Sequence, residues 1–343
     1  MKWRWREAKL ANLLELRNVT KVFGGGLFNR SNITVAVDDV SFAITSDRPT
    51  ITAVAGESGS GKTTLSRLLL GVIKPTMGNV IYEDQDVSML SGSARRNFRR
   101  EVQPIFQDPF EVYNPFYKAD HLLHVAIEKF GLASSRDERV ELIREALETV
   151  GLRPDEMLGR YPHQLSGGQR QRMMVARALL LKPRIILADE PVSMVDASLR
   201  ATILESIRTL NRDLGISVVY VTHDLTTAYQ ICNDILVMYK GSVVEHGSVE
   251  QVIRDPKHPY TQLLVESIPQ MRTDQAWEEG AEEMMSIDDS TGTTGCKFAD
   301  RCPQAMDKCQ TEHPPGFVTD AGRVAACYLY DDMPIADRAT VAT

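Results

Sequence analysis

Residues 56–63 read Gly56-Glu57-Ser58-Gly59-Ser60-Gly61-Lys62-Thr63, which fits the pattern Gly-x4-Gly-Lys-Ser/Thr. The preceding residues 51–55 are typical of a buried strand, and an apolar helical run begins at Thr64. Glycines at such a turn let backbone N–H groups approach phosphate oxygens at a helix N-terminus. Lys62 would place its charge on the β- and γ-phosphates, and the Thr63 hydroxyl would be a Mg2+ ligand. A Gly-rich turn could match by chance, but the flanking strand and helix favour a nucleoside triphosphate site spanning residues 56–64.

Length and charge set the broad class. The chain has 343 residues, so we expect a main domain with at least one appendage. Its 39 Lys and Arg against 46 Asp and Glu give a net charge of -7, which argues against non-specific nucleic-acid binding. We find neither an apolar run long enough to span a membrane nor a signal-peptide pattern, so we expect a cytoplasmic chain.

An antiparallel layer is predicted ahead of the phosphate loop, because residues 14–23 and 35–42 alternate apolar and polar side chains. Phe23, at the end of the first of these strands, could offer its ring to an adenine base, and ordinary packing is the alternative. The basic residues within 95–100 could suggest a nucleic-acid site. In an acidic chain we interpret them as a solvated helix face.

A helical insert is predicted at about residues 108–165. It follows an apolar strand that ends in Gln107, and residues 121–130 and 138–150 carry apolar side chains at three- and four-residue spacing. The insert ends at Leu165-Ser166-Gly167-Gly168-Gln169, after which we expect a helix over 170–181. The Ser-Gly-Gly sequence leaves amides free at the start of this helix, which predicts a second anion site.

Two further strands end in polar residues. An apolar run over 184–188 leads into Asp189 and Glu190, and a β-branched run over 216–221 leads into Thr222 and His223. Ligands bind at the carboxyl edge of a parallel sheet, so the two carboxylates should point into the nucleotide crevice. A helix cap is the alternative for the acidic pair, and a lone His at a strand end is more often structural.

The C-terminal part contains a short helix from His258 to Ser267, an acidic linker at about 272–294, and four of the five cysteines. The cysteines have five, six and seventeen residues between them; they are Cys296, Cys302, Cys309 and Cys327. Their segment is too small to be held by a core of its own. Disulfides are disfavoured in a cytoplasmic chain, and zinc sites usually contain a pair only two to four residues apart. An iron–sulfur cluster needs four thiolates, and zinc or cysteines without a ligand remain the alternatives. Cys232 stands apart in an apolar helix and is interpreted as packing.

Taken together, these motifs resemble in order and spacing the ATP-binding subunit of ATP-binding-cassette (ABC) transporters. The set comprises residues 56–63, Gln107, residues 165–169, Asp189-Glu190, Asp196 and His223. The resemblance implies an α/β fold with a P-loop NTPase core, an antiparallel β subdomain and a helical insert, here over 13–250. Residues 1–12 would be an N-terminal extension and 251–343 a C-terminal one.

Three further motifs are similar to the oligopeptide/dipeptide importer subfamily. They are Tyr161-Pro162-His163, His258-Pro259-Tyr260 and Cys-Lys-Phe-Ala-Asp-Arg-Cys-Pro at 296–303. Residues 24–28 and 169–172 resemble the second of the two ATPases of such importers.

The resemblance implies a role for each matching residue. Asp189 would hold Mg2+ through water, Glu190 would polarise the attacking water, and His223 would contact the γ-phosphate. Gln107 would join the metal site to the insert. Residues 166–169, Ser166 and Gly168 above all, would close over the ATP of a partner subunit, and Asp196 would serve communication between the two. Ser193-Met194-Val195-Asp196 departs from the usual Ser-Ala-Leu-Asp, but Asp196 is retained. The four C-terminal cysteines would hold a [4Fe–4S] cluster.

The implied assembly lies at the cytoplasmic face of a membrane. It comprises a second, different ABC ATPase, two transmembrane permease subunits and, indirectly, an extracytoplasmic solute-binding protein, with no nucleic acid. ATP and Mg2+ would serve hydrolysis, which relies on positioning and charge neutralisation. Peptides are the expected solute, and oligosaccharides, nickel or opines are alternatives served by the same chemistry. A soluble ABC protein acting on ribosomes or DNA normally has two cassettes or a long coiled coil, and neither is found in this sequence.

Overall fold

The structure, a computed structural model, describes residues 12–24, 33–106, 113–193, 197–268 and 294–336. Its strands are β1 (Asn12–Phe23), β2 (Thr34–Thr45), β3 (Ile51–Ala55), β4 (Met77–Tyr82), β5 (Gln85–Asp86), β6 (Val102–Ile105), β7 (Ile185–Asp189), β8 (Ser217–Thr222), β9 (Asp234–Tyr239), β10 (Ser242–Ser248), β11 (Phe317–Asp320) and β12 (Arg323–Ala325).

The α-helices are α1 (Lys62–Leu69), α2 (Gly92–Glu101), α3 (His121–Phe130), α4 (Arg136–Thr149), α5 (Pro154–Met157), α6 (Gly167–Leu180), α7 (Ala197–Arg212), α8 (Leu225–Ile231), α9 (Val249–Arg254), α10 (Pro259–Glu266) and α11 (Asp307–Thr311). Short 3₁₀ turns lie at Pro162–Gln164, Ala299–Arg301 and Tyr328–Tyr330. None of the helices in the described ranges is both long and apolar enough to cross a membrane.

The strands form two sheets. The smaller sheet has the order β2-β1-β4-β5 and is antiparallel throughout, which confirms the predicted antiparallel layer. The larger sheet has the order β11-β12-β10-β9-β3-β8-β7-β6. Its strands run parallel from β9 to β6, and every residue of β3 and β8 is buried, as expected for parallel strands covered on both faces.

Two cores lie on opposite faces of the larger sheet. Val54 packs with the antiparallel layer and α1, while its neighbours Ala53 and Ala55 face the core shared with the helical insert. Leu123 of α3 and Leu147 of α4 are fully buried in this second core. The antiparallel layer and the helical insert therefore pack on opposite faces of the central strand β3, which leads into the loop before α1.

The insert matches the predicted pattern closely. Helix α3 has the predicted bounds, and α4 begins at Arg136, two residues before the predicted start. The earlier start has a local cause, because the Ser135 hydroxyl accepts a 3.1 Å hydrogen bond from the Glu138 N–H and caps the helix. The basic residues of 95–100 lie on α2, where Phe98 is the buried residue, which agrees with an exposed helix face.

The cysteine segment is held by the main domain. Strand β12 pairs with β10 through Glu245↔Ala325 and His246↔Val324, and β11 adds one more strand to the larger sheet. Phe298 is 2% exposed and packs against the rings of Tyr239 and Tyr260 at centroid distances of 5.3 and 5.5 Å. The segment is therefore not held by a core of its own alone, as expected from its size, because it shares the core and the larger sheet of the main domain. Most of the predicted linker at 272–294 lies outside the described residues.

Candidate nucleotide-binding site

The phosphate loop joins β3 to α1 as predicted, and two of its glycines have no room for a side chain. A Cβ atom on Gly56 would lie 2.2 Å from the Met238 carbonyl oxygen, and one on Gly61 would lie 2.2 Å from that of Ala36. Both residues also have positive φ, 147° and 102°, which favours glycine. The loop is thus pressed between β9 and β2.

Lys62 lies under this loop. Its ammonium is 2.7 Å from both the Gly56 and the Glu57 carbonyl oxygens, and the residue is 6% exposed. Burial lowers the pKa of this ammonium, while the carboxylates of Glu190 and Asp189 oppose that shift. A cation held at the start of α1 is placed to receive phosphate oxygens.

The predicted acidic residues and His223 meet at the carboxyl edge of the larger sheet. Register pairs Ala55 with Thr222 and Asp189 with Val221, so the loops after β3, β7 and β8 leave the sheet together. His223 Nδ1 lies 3.1 Å from Glu190 Oε1. Burial raises the pKa of Asp189, the Glu190 charge raises it further, and Lys62 opposes both.

Glu190 has a strained backbone, a feature that sequence reasoning missed. Its φ is +42°, in the left-handed region, where a non-glycine residue costs about 1–3 kcal/mol. Its N–H donates to the Val221 carbonyl at 2.9 Å, and its carbonyl accepts from the Ser193 N–H and hydroxyl at 3.2 and 3.0 Å. These three bonds fix the backbone from which the carboxylate projects.

A cleft of about 910 Å³ opens above the loop. Eight of the predicted site residues line it, namely Ser58, Gly59, Gly61, Lys62, Thr63, Thr64, Glu190 and His223. A lysine, threonine hydroxyls and a carboxylate in one cleft fit a Mg2+-bound nucleoside triphosphate. The lining also includes residues 33–36 and Lys240, which sequence reasoning missed because they come from the start of β2 and the β9–β10 turn. These segments become neighbours of the loop only in the folded chain.

Several predicted residues lie elsewhere. Phe23 is 43% exposed, with the Lys21 ammonium 5.1 Å from its ring centre, and its stacking on adenine stays a prediction. The Glu57 carboxylate is paired with Arg301. Gln107 and Asp196 lie outside the described residues, so their roles also stay predictions.

The Ser-Gly-Gly-Gln stretch caps helix α6. The Ser166 hydroxyl accepts from the Gln169 N–H at 3.2 Å, and the Gln169 side chain accepts from the Ser166 N–H at 2.9 Å. This reciprocal capping box starts the helix at Gly167, so the predicted start at Arg170 was wrong by one turn. Ser166 is exposed, and residues 166–169 are not among those lining the cleft.

The four C-terminal cysteines come together in one small pocket, beside His258, Pro259 and Phe298. Burial raises the pKa of the Cys296 and Cys302 thiols, and raises that of Cys327 to about 11. Across the described ranges, no three or more His, Cys, Asp or Glu side chains are arranged to hold a metal ion. Four thiolates on one zinc ion, each about 2.3 Å from it, would lie about 3.8 Å apart. The four cysteines therefore share one pocket, but in the described residues they are not arranged as a metal site, and the expected cluster stays a prediction.

The fold and cleft define a P-loop nucleotide-binding cassette, and comparison with known proteins gives its relatives. The family model "ABC transporter" matches residues 37–193, and "Oligopeptide/dipeptide transporter, C-terminal region" matches 244–309. The probable peptide ABC transporter ATP-binding protein of Sinorhizobium fredii is 39% identical, over 92% of this chain and 90% of its own. The dipeptide transport ATP-binding protein DppF of Escherichia coli is 36% identical, over 89% and 90%.

A solved structure is also similar. A dimeric ATP-binding cassette, bound to ADP and phosphate in a post-hydrolysis state, aligns with a TM-score of 0.60 and 30% identity, covering 69% of this chain and 98% of that one. The chain belongs to the ATP-binding subunits of ABC transporters, in the oligopeptide/dipeptide transport family.

Proposed function

We propose that this chain hydrolyses ATP to energise the import of oligopeptides or dipeptides through an ABC transporter. The observation that carries the hydrolysis is the Glu190–His223 pair, 3.1 Å apart, in the wall of the cleft that also contains Lys62. The peptide substrate is supported by the match of residues 244–309 to the oligopeptide/dipeptide family and by the relatives' names.

Each side chain has a simple task in this reaction. Lys62 and the loop amides neutralise phosphate charge, while Thr63 and Asp189 would hold Mg2+, which would supply positive charge against the negative charge that develops on the phosphate. Glu190 accepts a hydrogen bond from the attacking water and polarises it. His223 orients the Glu190 carboxylate from one side and reaches the γ-phosphate from the other. Because these groups are placed in advance, little rearrangement is needed in the transition state.

Solute choice is tested in cells. Deleting the gene for this chain should abolish uptake of labelled di- to pentapeptides and leave uptake of the corresponding free amino acids unchanged, and the wild-type gene should restore it. Unchanged peptide uptake together with lost uptake of nickel, oligosaccharides or opines would replace peptides with that solute. Unchanged uptake of all these solutes would contradict the transport function.

We further propose that the chain works at the cytoplasmic face of the membrane, in a heterodimer with a different ABC ATPase. This heterodimer would act on two permease subunits, to which a solute-binding protein delivers the solute. Support comes from the signature at 166–169, which is exposed at Ser166 and is not among the residues that line this chain's own cleft. The resemblance of residues 24–28 and 169–172 to the second ATPase of such importers supports the same arrangement. Purification of only a homodimer with the permeases, fully active in transport, would contradict it.

A [4Fe–4S] cluster at the four C-terminal cysteines is also proposed. It is supported by the convergence of Cys296, Cys302, Cys309 and Cys327 on one pocket beside the buried rings of Phe298 and His258. Four cysteines with apolar neighbours are the usual ligand set of such a cluster. The cluster would have a structural or regulatory role, since none of the four cysteines lines the ATP cleft.

A further inference from the structure

Glu57, the second residue of the phosphate loop, has all of its polar groups engaged. Its N–H donates to the Tyr260 hydroxyl at 2.9 Å, and its carbonyl accepts from Lys62 at 2.7 Å. Its two carboxylate oxygens accept from the two terminal nitrogens of Arg301 at 3.1 and 3.2 Å. Tyr260 and Arg301 come from the C-terminal extension, more than 200 residues further along the chain.

Arg301 is itself tightly placed. It ends the 3₁₀ turn Ala299–Arg301, directly before Cys302, and its side chain is 15% exposed. The guanidinium lies 5.6 Å from the centre of the Phe298 ring and 5.8 Å from that of Tyr239, both of which belong to the buried core. The hydrogen bond with Glu57 is the largest influence on the Arg301 pKa, and it raises that pKa. A cation near two aromatic rings, with both terminal nitrogens on one carboxylate, has little freedom to leave.

Because Glu57 is negatively charged, its pairing with Arg301 bears on how the loop binds nucleotide phosphates. A carboxylate in a phosphate-binding loop repels the phosphates that the loop must hold, and the repulsion grows where water is excluded. Arg301 neutralises the carboxylate and draws it toward the cysteine segment, and Glu57 is not among the residues lining the cleft. Tyr260 fixes the Glu57 backbone in the same direction.

We propose that Arg301 and Tyr260 are positioning residues for ATP, through which the C-terminal extension braces the phosphate loop and removes the Glu57 charge from the phosphates. The inference rests on the proposed ATP binding. It adds that the cysteine segment contributes to nucleotide affinity through this contact.

The test is a charge-rescue experiment on the full chain, with affinity measured by titrating a fluorescent ATP analogue in the presence of Mg2+. Arg301→Gln should weaken binding about tenfold, the size expected for losing a paired, charge-assisted contact. Adding Glu57→Gln to that variant should restore most of the loss, because the carboxylate that Arg301 neutralises is then absent. Lys308→Gln is the matched control: it removes a cation of the same segment that lies near Asp331 and Tyr328, and it should bind as the wild type does.

Two results would overturn the inference: wild-type affinity in Arg301→Gln, or a double variant that binds as weakly as Arg301→Gln alone, since Arg301 would then only support the fold. Thermal unfolding of each variant checks folding. Should Arg301→Gln not fold, Tyr260→Phe removes only the hydroxyl that accepts from the Glu57 N–H and should weaken binding severalfold, so unchanged affinity there would overturn the inference equally. A wild-type chain that binds no nucleotide would instead contradict the proposed function.

Discussion

Glu190 combines a strained backbone conformation with the side chain proposed to polarise the attacking water. Its left-handed backbone is held by bonds from Val221 and Ser193, and its carboxylate lies 3.1 Å from His223. Strain of this kind persists only where the surroundings fix it, and it concentrates at functional sites. Glu190 directly follows Asp189, so in the proposed reaction the two carboxylates can serve different atoms, Asp189 as the Mg2+ ligand and Glu190 as the base.

Glu190→Gln keeps the size and hydrogen bonding of the side chain and removes its basicity. We predict that the variant binds ATP and loses turnover by at least about a hundredfold, the usual contribution of a general base. The measurement is ATP hydrolysis by the assembled transporter with the partner subunit's site inactivated. Glu205→Gln, an equivalent change at an exposed position of α7, is the control and should hydrolyse ATP normally. Retention of half of the activity in Glu190→Gln would remove Glu190 from this role.

Among the elements, the cysteine segment departs most from what its sequence indicated. Strands β11 and β12 have four and three residues, too few for a periodic signal, so the pairing of β12 with β10 and of β11 with β12 was not foreseen. The insert helices were foreseen, because α3 and α4 carry long apolar stripes that pack into the core. The start of α6 was missed because Gly167 and Gly168 are poor helix formers, and only the reciprocal bonds of Ser166 and Gln169 show that they are helical.

The predicted iron–sulfur cluster lies in the same cysteine segment. Protein purified without oxygen should contain about four irons and matching sulfide per chain if the four cysteines hold a [4Fe–4S] cluster. Replacing Cys296, Cys302, Cys309 and Cys327 by serine should remove the iron, whereas Cys232→Ala, at a cysteine buried elsewhere in the core, should not. Stoichiometric zinc in place of iron, or a quadruple variant that folds and transports as the wild type does, would contradict the cluster.

At the scale of the whole molecule, the cleft is assembled from five parts of the chain that lie far apart in the sequence. The motif at 56–64, Glu190 and His223 could be predicted because each follows a strand of one parallel sheet. Residues 33–36 and Lys240 could not, since they carry no motif and reach the cleft only through the contact of β2 and β9 with the loop. The Arg301–Glu57 pair was missed for the same reason, being 244 residues apart in sequence.

The most direct test of the central claim is ATP-driven peptide uptake by the purified transporter in proteoliposomes, comparing wild-type chain with Glu190→Gln. The account predicts that labelled peptide accumulates with the wild type only when Mg2+ and ATP are supplied on the side of the ATPase subunits, and that uptake with Glu190→Gln falls at least about as far as turnover, a hundredfold. Uptake that proceeds at the wild-type rate with Glu190→Gln, or without ATP, would contradict the claim that hydrolysis on this chain energises peptide import.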